Sequence, residues 1–205
     1  MTRITLLSGL LLLVSAAPAC ALLSKNEPMV PRYFSLEPAA ERRASTAAPT
    51  DLQLRLGPVT SGSEIRHHLV VRGAAQELSY SEERRWTEKP EAYLRRALSQ
   101  ELFERRGVRR VISGPSLSIE VELVSFEEVK RQNGSAARVA ATLILHDERV
   151  VRMEKTLTVE VPVERASAPD HADEAVRALG LALTRIVSHI ADEVCREPQA
   201  VARAP

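Results

Sequence analysis

The chain has 205 residues, with 28 basic against 27 acidic side chains and only two cysteines. Charges that nearly cancel leave no global field to draw it to nucleic acid or to an anionic membrane surface, so nucleic-acid binding is excluded as an expectation. Without a leader of residues 1–19, what remains is one domain's worth of chain, enough to bury a sizeable core.

Arg3 supplies a positive n-region, residues 4–14 an apolar h-region, and Ala17-Pro18-Ala19-Cys20 a small-residue exit for a signal peptidase. Residues 1–19 therefore read as a signal peptide, and Cys20 as a lipidation site. Two other outcomes fit the same residues. Ordinary cleavage after Ala19 leaves Cys20 unmodified, and an uncleaved anchor needs the run 4–23 to span a bilayer despite Ser8, Gly9, Ser15 and Pro18. With Cys20 acylated, Cys195 has no partner in the chain; with Cys20 free, the two can pair in an oxidising compartment. Residues 20–32 are a lipidated N-terminus and tether, 33–194 a folded domain, and 195–205 a disordered tail with two prolines and little to bury.

Tyr33-Phe34-Ser35-Leu36 reads as a short strand, and residues 38–50, rich in Ala, Pro, Ser and Thr, as an exposed loop. Leu52, Leu54 and Leu56 alternate with Gln53 and Arg55, which predicts a half-buried strand ending at Gly57-Pro58. Residues 65–72 and 77–81 are weaker strand candidates with a turn at Gly73-Ala74-Ala75. Pro90 opens a helix whose apolar stripe is Leu94, Leu98 and Leu102, joined by Tyr93, Ala97 and Phe103, and Gly107 closes it. A brief strand at 108–112 and a Gly114-Pro115 turn follow. Three alternating runs come next: Leu117 to Leu123, Val139 to Leu145, and Val151 to Val161 after an Asp147-Glu148 turn. They predict an antiparallel meander with one wet face. A last helix starts near Asp170, with Ala172, Ala175, Val176, Leu179, Leu183, Ile186, Val187, Ile190 and Val194 on its buried stripe. The fold class is α+β: a two-layer sandwich with a largely antiparallel or mixed sheet and two amphipathic helices packed on one face.

The candidates for chemistry are few. His67 and His68 are adjacent and point to opposite faces of a strand, so they cannot chelate one ion together; His146, His171 and His189 are isolated. No nucleophile elbow, H-E-x-x-H or phosphate-binding glycine loop occurs, and Ser113-Gly114-Pro115-Ser116 reads as a turn. The expectation is no enzyme, no catalytic residue, no cofactor and no metal. Arg105, Arg106, Arg109 and Arg110 form a basic cluster suited to an acidic partner surface, against the commoner meaning of a solvated helix end. Trp86 has an interface reading, and the commoner one of packing on its own core.

Tyr33-Phe34-Ser35-Leu36 shortly after the cysteine, Leu69-Val70-Val71-Arg72, Tyr80 with Arg85-Trp86 and Pro90, Phe126-Glu127, and the last two strands and helix occur in an order that resembles the ABC-type transport auxiliary lipoproteins. The resemblance covers nearly the whole chain after Cys20, although the residues before the cysteine and the His67-His68 stretch depart from the family pattern. It implies a non-catalytic accessory of an envelope lipid transport system. Such a protein sits on the periplasmic face of the outer membrane of a Gram-negative cell, held by its N-terminal lipid. It docks a mammalian-cell-entry-type periplasmic protein and its ABC transporter, a role compatible with homo-oligomers. Ala21 after the cysteine, in place of the Asp that favours inner-membrane retention in some bacteria, agrees with outer-membrane sorting. The alternatives are a regulatory or structural envelope lipoprotein, such as a cell-wall synthase activator, and an exported hydrolase.

Overall fold

A computed structural model of the chain describes residues 29–36, 50–73, 77–164 and 171–201, the last segment with side chains from 174 to 197. Contacts divide the chain into two compact units, Met1–Val30 and Pro31–Pro205, and the second carries all the strands and helices given below. The signal peptide, Cys20, most of the tether and most of the 38–50 loop lie outside the described residues.

The hub is β6 (Leu117–Arg131) in an eight-stranded mixed sheet. On one edge it pairs antiparallel with β7 (Gly134–His146), which pairs antiparallel with β8 (Val151–Val163), the expected meander. Its other edge is shared. β2 (Gln53–Ser61) runs parallel to its first half, and β3 (His68–Arg72) runs parallel to Glu127–Val129 further along. Beyond β3 lie β4 (Leu78–Trp86), antiparallel, and β1 (Arg32–Phe34), parallel to β4; beyond β2 lies the two-residue β5 (Arg109–Arg110).

Several strand limits differ from those read off the sequence. β2 does not stop at Gly57-Pro58 but bulges there and continues to Ser61. A Cβ on Gly57 would sit 3.1 Å from the Ile119 carbonyl oxygen, so a larger residue there would push the two strands apart by a few tenths of an ångström. The 65–72 candidate begins as a strand only at His68, and the 77–81 candidate extends to Trp86, whose N–H donates to the His67 carbonyl. The 108–112 strand shrinks to Arg109 and Arg110.

A second bulge, between Leu123 and Ser125 against β7, resets the alternation of β6. Before it Ile119, Val121 and Leu123 are buried under the helices; after it Phe126 takes the inward position. Glu127 then shares the outer face with Arg72 of β3, Arg138 of β7 and Glu160 of β8. Arg72 donates twice to Glu127, at 2.8 and 2.9 Å; Arg138 lies 3.6 Å from Glu127 and donates to Glu160 at 2.8 Å; Arg131 also donates to Glu160. A charge ladder thus crosses four strands, with Glu127 only 3% exposed at its centre. Burial of Glu160 opposes its ionisation, but the hydrogen bonds from Arg138 and Arg131 outweigh it and lower its pKa.

Both helices cover the inner face, as expected. α1 (Pro90–Ser99) packs on β2 and β6, and α2 (His171–Val201) on β8 and β7. Pro90 sits at the first turn, and the Tyr93 hydroxyl accepts the Glu88 N–H at 3.1 Å and lies 2.8 Å from the Thr87 hydroxyl, fixing the entry. Leu94, Leu98 and Leu102 recur every fourth residue, a spacing that drifts about 40° per step round an α-helix. The chain corrects this drift by widening into a π-helical segment, Gln100–Arg105, which brings Leu102 to full burial. Gly107, at φ 67°, ends it in the left-handed conformation that glycine tolerates. Trp86 packs edge-on to Tyr93 and Phe126 in the core, so the self-packing reading of this residue holds. α2 continues to Val201, past Val194, where the sequence reading has a disordered tail. Cys195 still packs against the core, and Arg196 pairs with Glu193 at 3.0 Å.

Candidate functional site

The described histidines have separate surroundings. His68 lies edge-on to Tyr80, and the His67 backbone serves Trp86. His146 donates from Nδ1 to the Asp147 carbonyl at 2.9 Å and has Nε2 3.4 Å from Glu120. His189 is exposed on α2, and the His171 side chain lies outside the described residues. Among the described residues no three of His, Cys, Asp and Glu are grouped to hold a metal ion. Among the described residues Cys195 forms no disulfide; it is half-buried, and burial pushes its pKa up, which disfavours the reactive thiolate. Ser113 to Ser116 form the loop before β6, and the Gly114 carbonyl accepts a hydrogen bond from Arg55 at 2.7 Å.

The four arginines singled out in the sequence separate into different roles. Arg106 is part of the scaffold: it donates to Glu101 at 2.9 Å and pairs with Asp192 of α2 at 2.8 Å, with the Glu101 hydrogen bond the main cause of its raised pKa. It ties the π-helical segment to the last helix. Arg105 makes an i,i+4 pair with the same Glu101 at 3.4 Å. Arg109 is exposed, and its backbone N–H donates to the Leu52 carbonyl at 2.9 Å. Arg110 turns the other way, lying 4.3 Å over the Phe103 ring and donating to the Ser99 hydroxyl.

Arg110 leads into a groove that the sequence reading did not find. Because β5 pairs only with Gln53 and Leu54, the edge of β2 lies open beyond it, with α1 alongside. The groove there has a volume of about 660 Å³ and is lined by Arg55 of β2, Arg95 and Arg96 of α1, Arg110 of β5, Glu104 and Ile112 among others. Arg96 is paired with Glu88. Arg55, Arg95 and Arg110 are held by neutral acceptors instead: the carbonyls of Gly114 and Gly57, each at 2.7 Å, and the Ser99 hydroxyl. Arg55 Nε is buried and has no hydrogen-bond partner among the described residues. Among the described residues lining the groove, Glu104 is the one carboxylate. Ile112 stands beside these cations with 87% of its surface exposed. These arginines lie far apart in sequence, and each reads singly as a solvated residue on a polar face.

The same end of the sheet carries the β7–β8 hairpin tip, since Ser118 at the start of β6 pairs with His146. Asp147 accepts the N–H groups of Arg149 and Val150 and a side-chain bond from Arg152, in that order of effect, and its pKa falls to about 2. The locked turn presents Val150 and Val151, both more than half exposed.

Comparison with known proteins gives these features a context. The model of the ABC-type transport auxiliary lipoprotein component matches residues 34–191. The chain belongs to this family. A crystal structure of a Xanthomonas campestris protein superposes with a TM-score of 0.68 at 15% identity, covering 84% of this chain and 100% of that one. A second solved structure, of an uncharacterized protein, gives 0.61 at 15% identity over 80% of this chain and 99% of the other. At such identities the two structures establish a shared fold. No curated protein matches the sequence significantly. As a family member the chain is a lipoprotein component associated with ABC-type transport, and among the described residues no helix is long and apolar enough to cross a membrane.

Proposed function

We propose that the chain is a non-catalytic outer-membrane lipoprotein that docks a periplasmic partner of a lipid-transporting envelope ABC system. The observation that carries this is the family match over residues 34–191. Supporting it are a candidate lipidation cysteine, Cys20, behind a signal-peptide pattern, and a domain that presents Arg55, Arg95, Arg110 and the exposed Ile112, Val150 and Val151 at one end of the sheet. Two or three acyl chains on Cys20 anchor the protein stably, since each buried CH₂ contributes about 0.8 kcal/mol. The domain from Tyr33 to the last helix then serves as the docking body, with Arg105, Arg109 and Arg110 on its contact surface and Arg106 bracing them. The partner is a mammalian-cell-entry-type periplasmic protein, which leads on to its ABC transporter; attachment and positioning are the mechanism.

The test has two parts. Metabolic labelling with a clickable fatty acid is expected to mark the wild type and not Cys20→Ala, and the variant should move to the soluble periplasm. Co-purification from solubilised envelopes should bring down the mammalian-cell-entry-type protein. An unlabelled wild type, or a pull-down without any transport component, contradicts the proposal.

A further inference from the structure

We infer that the groove between α1 and the open edge of β2 binds an extended acidic segment of a partner protein. This deepens the docking reading above by giving the partner segment its chemistry and its seat.

The charges are the first ground. Among the described residues Arg72, Arg96, Arg106, Arg131 and Arg138 each pair with a carboxylate, whereas Arg55, Arg95 and Arg110 pair with none. Their guanidinium groups are positioned by two backbone carbonyls and a hydroxyl, which fix geometry while leaving the charge uncompensated. A guanidinium fork matches a carboxylate with two parallel N–H bonds, and a prepositioned fork loses less freedom on binding.

The layout selects the occupant. The three cations rise from three different elements, and Arg110 reaches Ser99, one helical turn beyond Arg95 on α1. Each is held at a separate acceptor, Gly114, Gly57 and Ser99, an arrangement that suits several carboxylates on one chain better than a single phosphate. Ile112 adds an apolar contact at the lining, the combination of charged rim and apolar anchor that gives protein interfaces both orientation and affinity.

The experiment places a photo-cross-linking amino acid at Ile112, at Glu104 and, as a control on the outer face, at Thr156, in the full chain expressed in its native host. Adducts are mapped by mass spectrometry. The expected result is a protein adduct from Ile112 and Glu104, attached within a segment rich in Asp or Glu. It should fall more than about tenfold in Arg95→Glu/Arg110→Glu and in the milder Arg95→Gln/Arg110→Gln, both with unchanged circular dichroism. A lipid adduct, an adduct on a segment without carboxylates, yields untouched by either double variant, or no adduct at these positions overturns the inference. A transport component that co-purifies but cross-links only elsewhere leaves the docking reading standing without the groove. The absence of any such component removes the docking reading itself.

Discussion

Two arginine-rich regions of this domain are built on opposite principles. On the outer face of the sheet, Arg72, Glu127, Arg138, Glu160 and Arg131 alternate in sign across four strands, so the local field is largely cancelled where burial is deepest. In the groove beside α1, Arg55, Arg95 and Arg110 gather with Glu104 as the one lining carboxylate, and neutral acceptors hold them. Compensated charges join neighbouring strands across the outer face. Uncompensated charges at like-signed neighbours contribute little to folding and are available to a ligand, in keeping with the general cost in stability of a functional surface.

The largest expected break comes from the ladder. Glu127→Ala deprives Arg72 and Arg138 of their shared carboxylate; since both arginines reach solvent in part, the loss should be about 2–3 kcal/mol, below the range for fully buried pairs. Equilibrium urea denaturation checks it, and Glu127→Gln should recover a portion through its remaining carbonyl acceptor. The scaffold arginine comes next. Arg106→Ala removes the tie from Glu101 to Asp192 and is expected to cost about 1 kcal/mol, with α2 losing hydrogen-exchange protection near Asp192.

Acid separates the two regions more gently. The folded pKa values of Asp147, Glu160 and Glu193 are lowered, the last chiefly by its hydrogen bond from Lys155. Groups of this kind add stability above their ordinary pKa of about 4, and that contribution is lost as pH falls through the folded value. For Asp147 the window runs down to about 2. Urea midpoints should therefore hold between pH 7 and about 5 and decline steadily below about 4, and Glu160→Gln should flatten the decline. The groove's guanidinium groups stay charged throughout.

How much of this was legible in the sequence follows from what periodicity encodes. The stripes of α1 and α2 and the alternation of β6, β7 and β8 say which face is buried, and the two-layer α+β arrangement with both helices on one side follows from them. Periodicity does not say which strand is a neighbour, so the parallel pairing of β2 and β3 with one edge of β6 was out of reach. The bulge at Val124 explains a specific gap. It reverses the in-out order, so the alternation breaks after Leu123 and the ladder residue Glu127 reads as one charge among several. The π-helical segment did leave a trace, in the strict fourfold spacing of Leu94, Leu98 and Leu102. The groove left none, because Arg55, Arg95 and Arg110 converge only through the pairing of β5 with β2 and the packing of α1 on that edge. The contiguous run Arg105 to Arg110 was easier to see, yet one of its members turned out to brace α2.

The comparison rests most directly on the stability of a single variant. Arg95→Gln/Arg110→Gln, unfolded in urea beside the wild type, loses a cation–π contact and two neutral hydrogen bonds but gains relief from like-charge repulsion. The expected unfolding free energy is within about 1 kcal/mol of wild type. A loss as large as that of Glu127→Ala would mean that these arginines hold the fold together, and would contradict the division between the two regions.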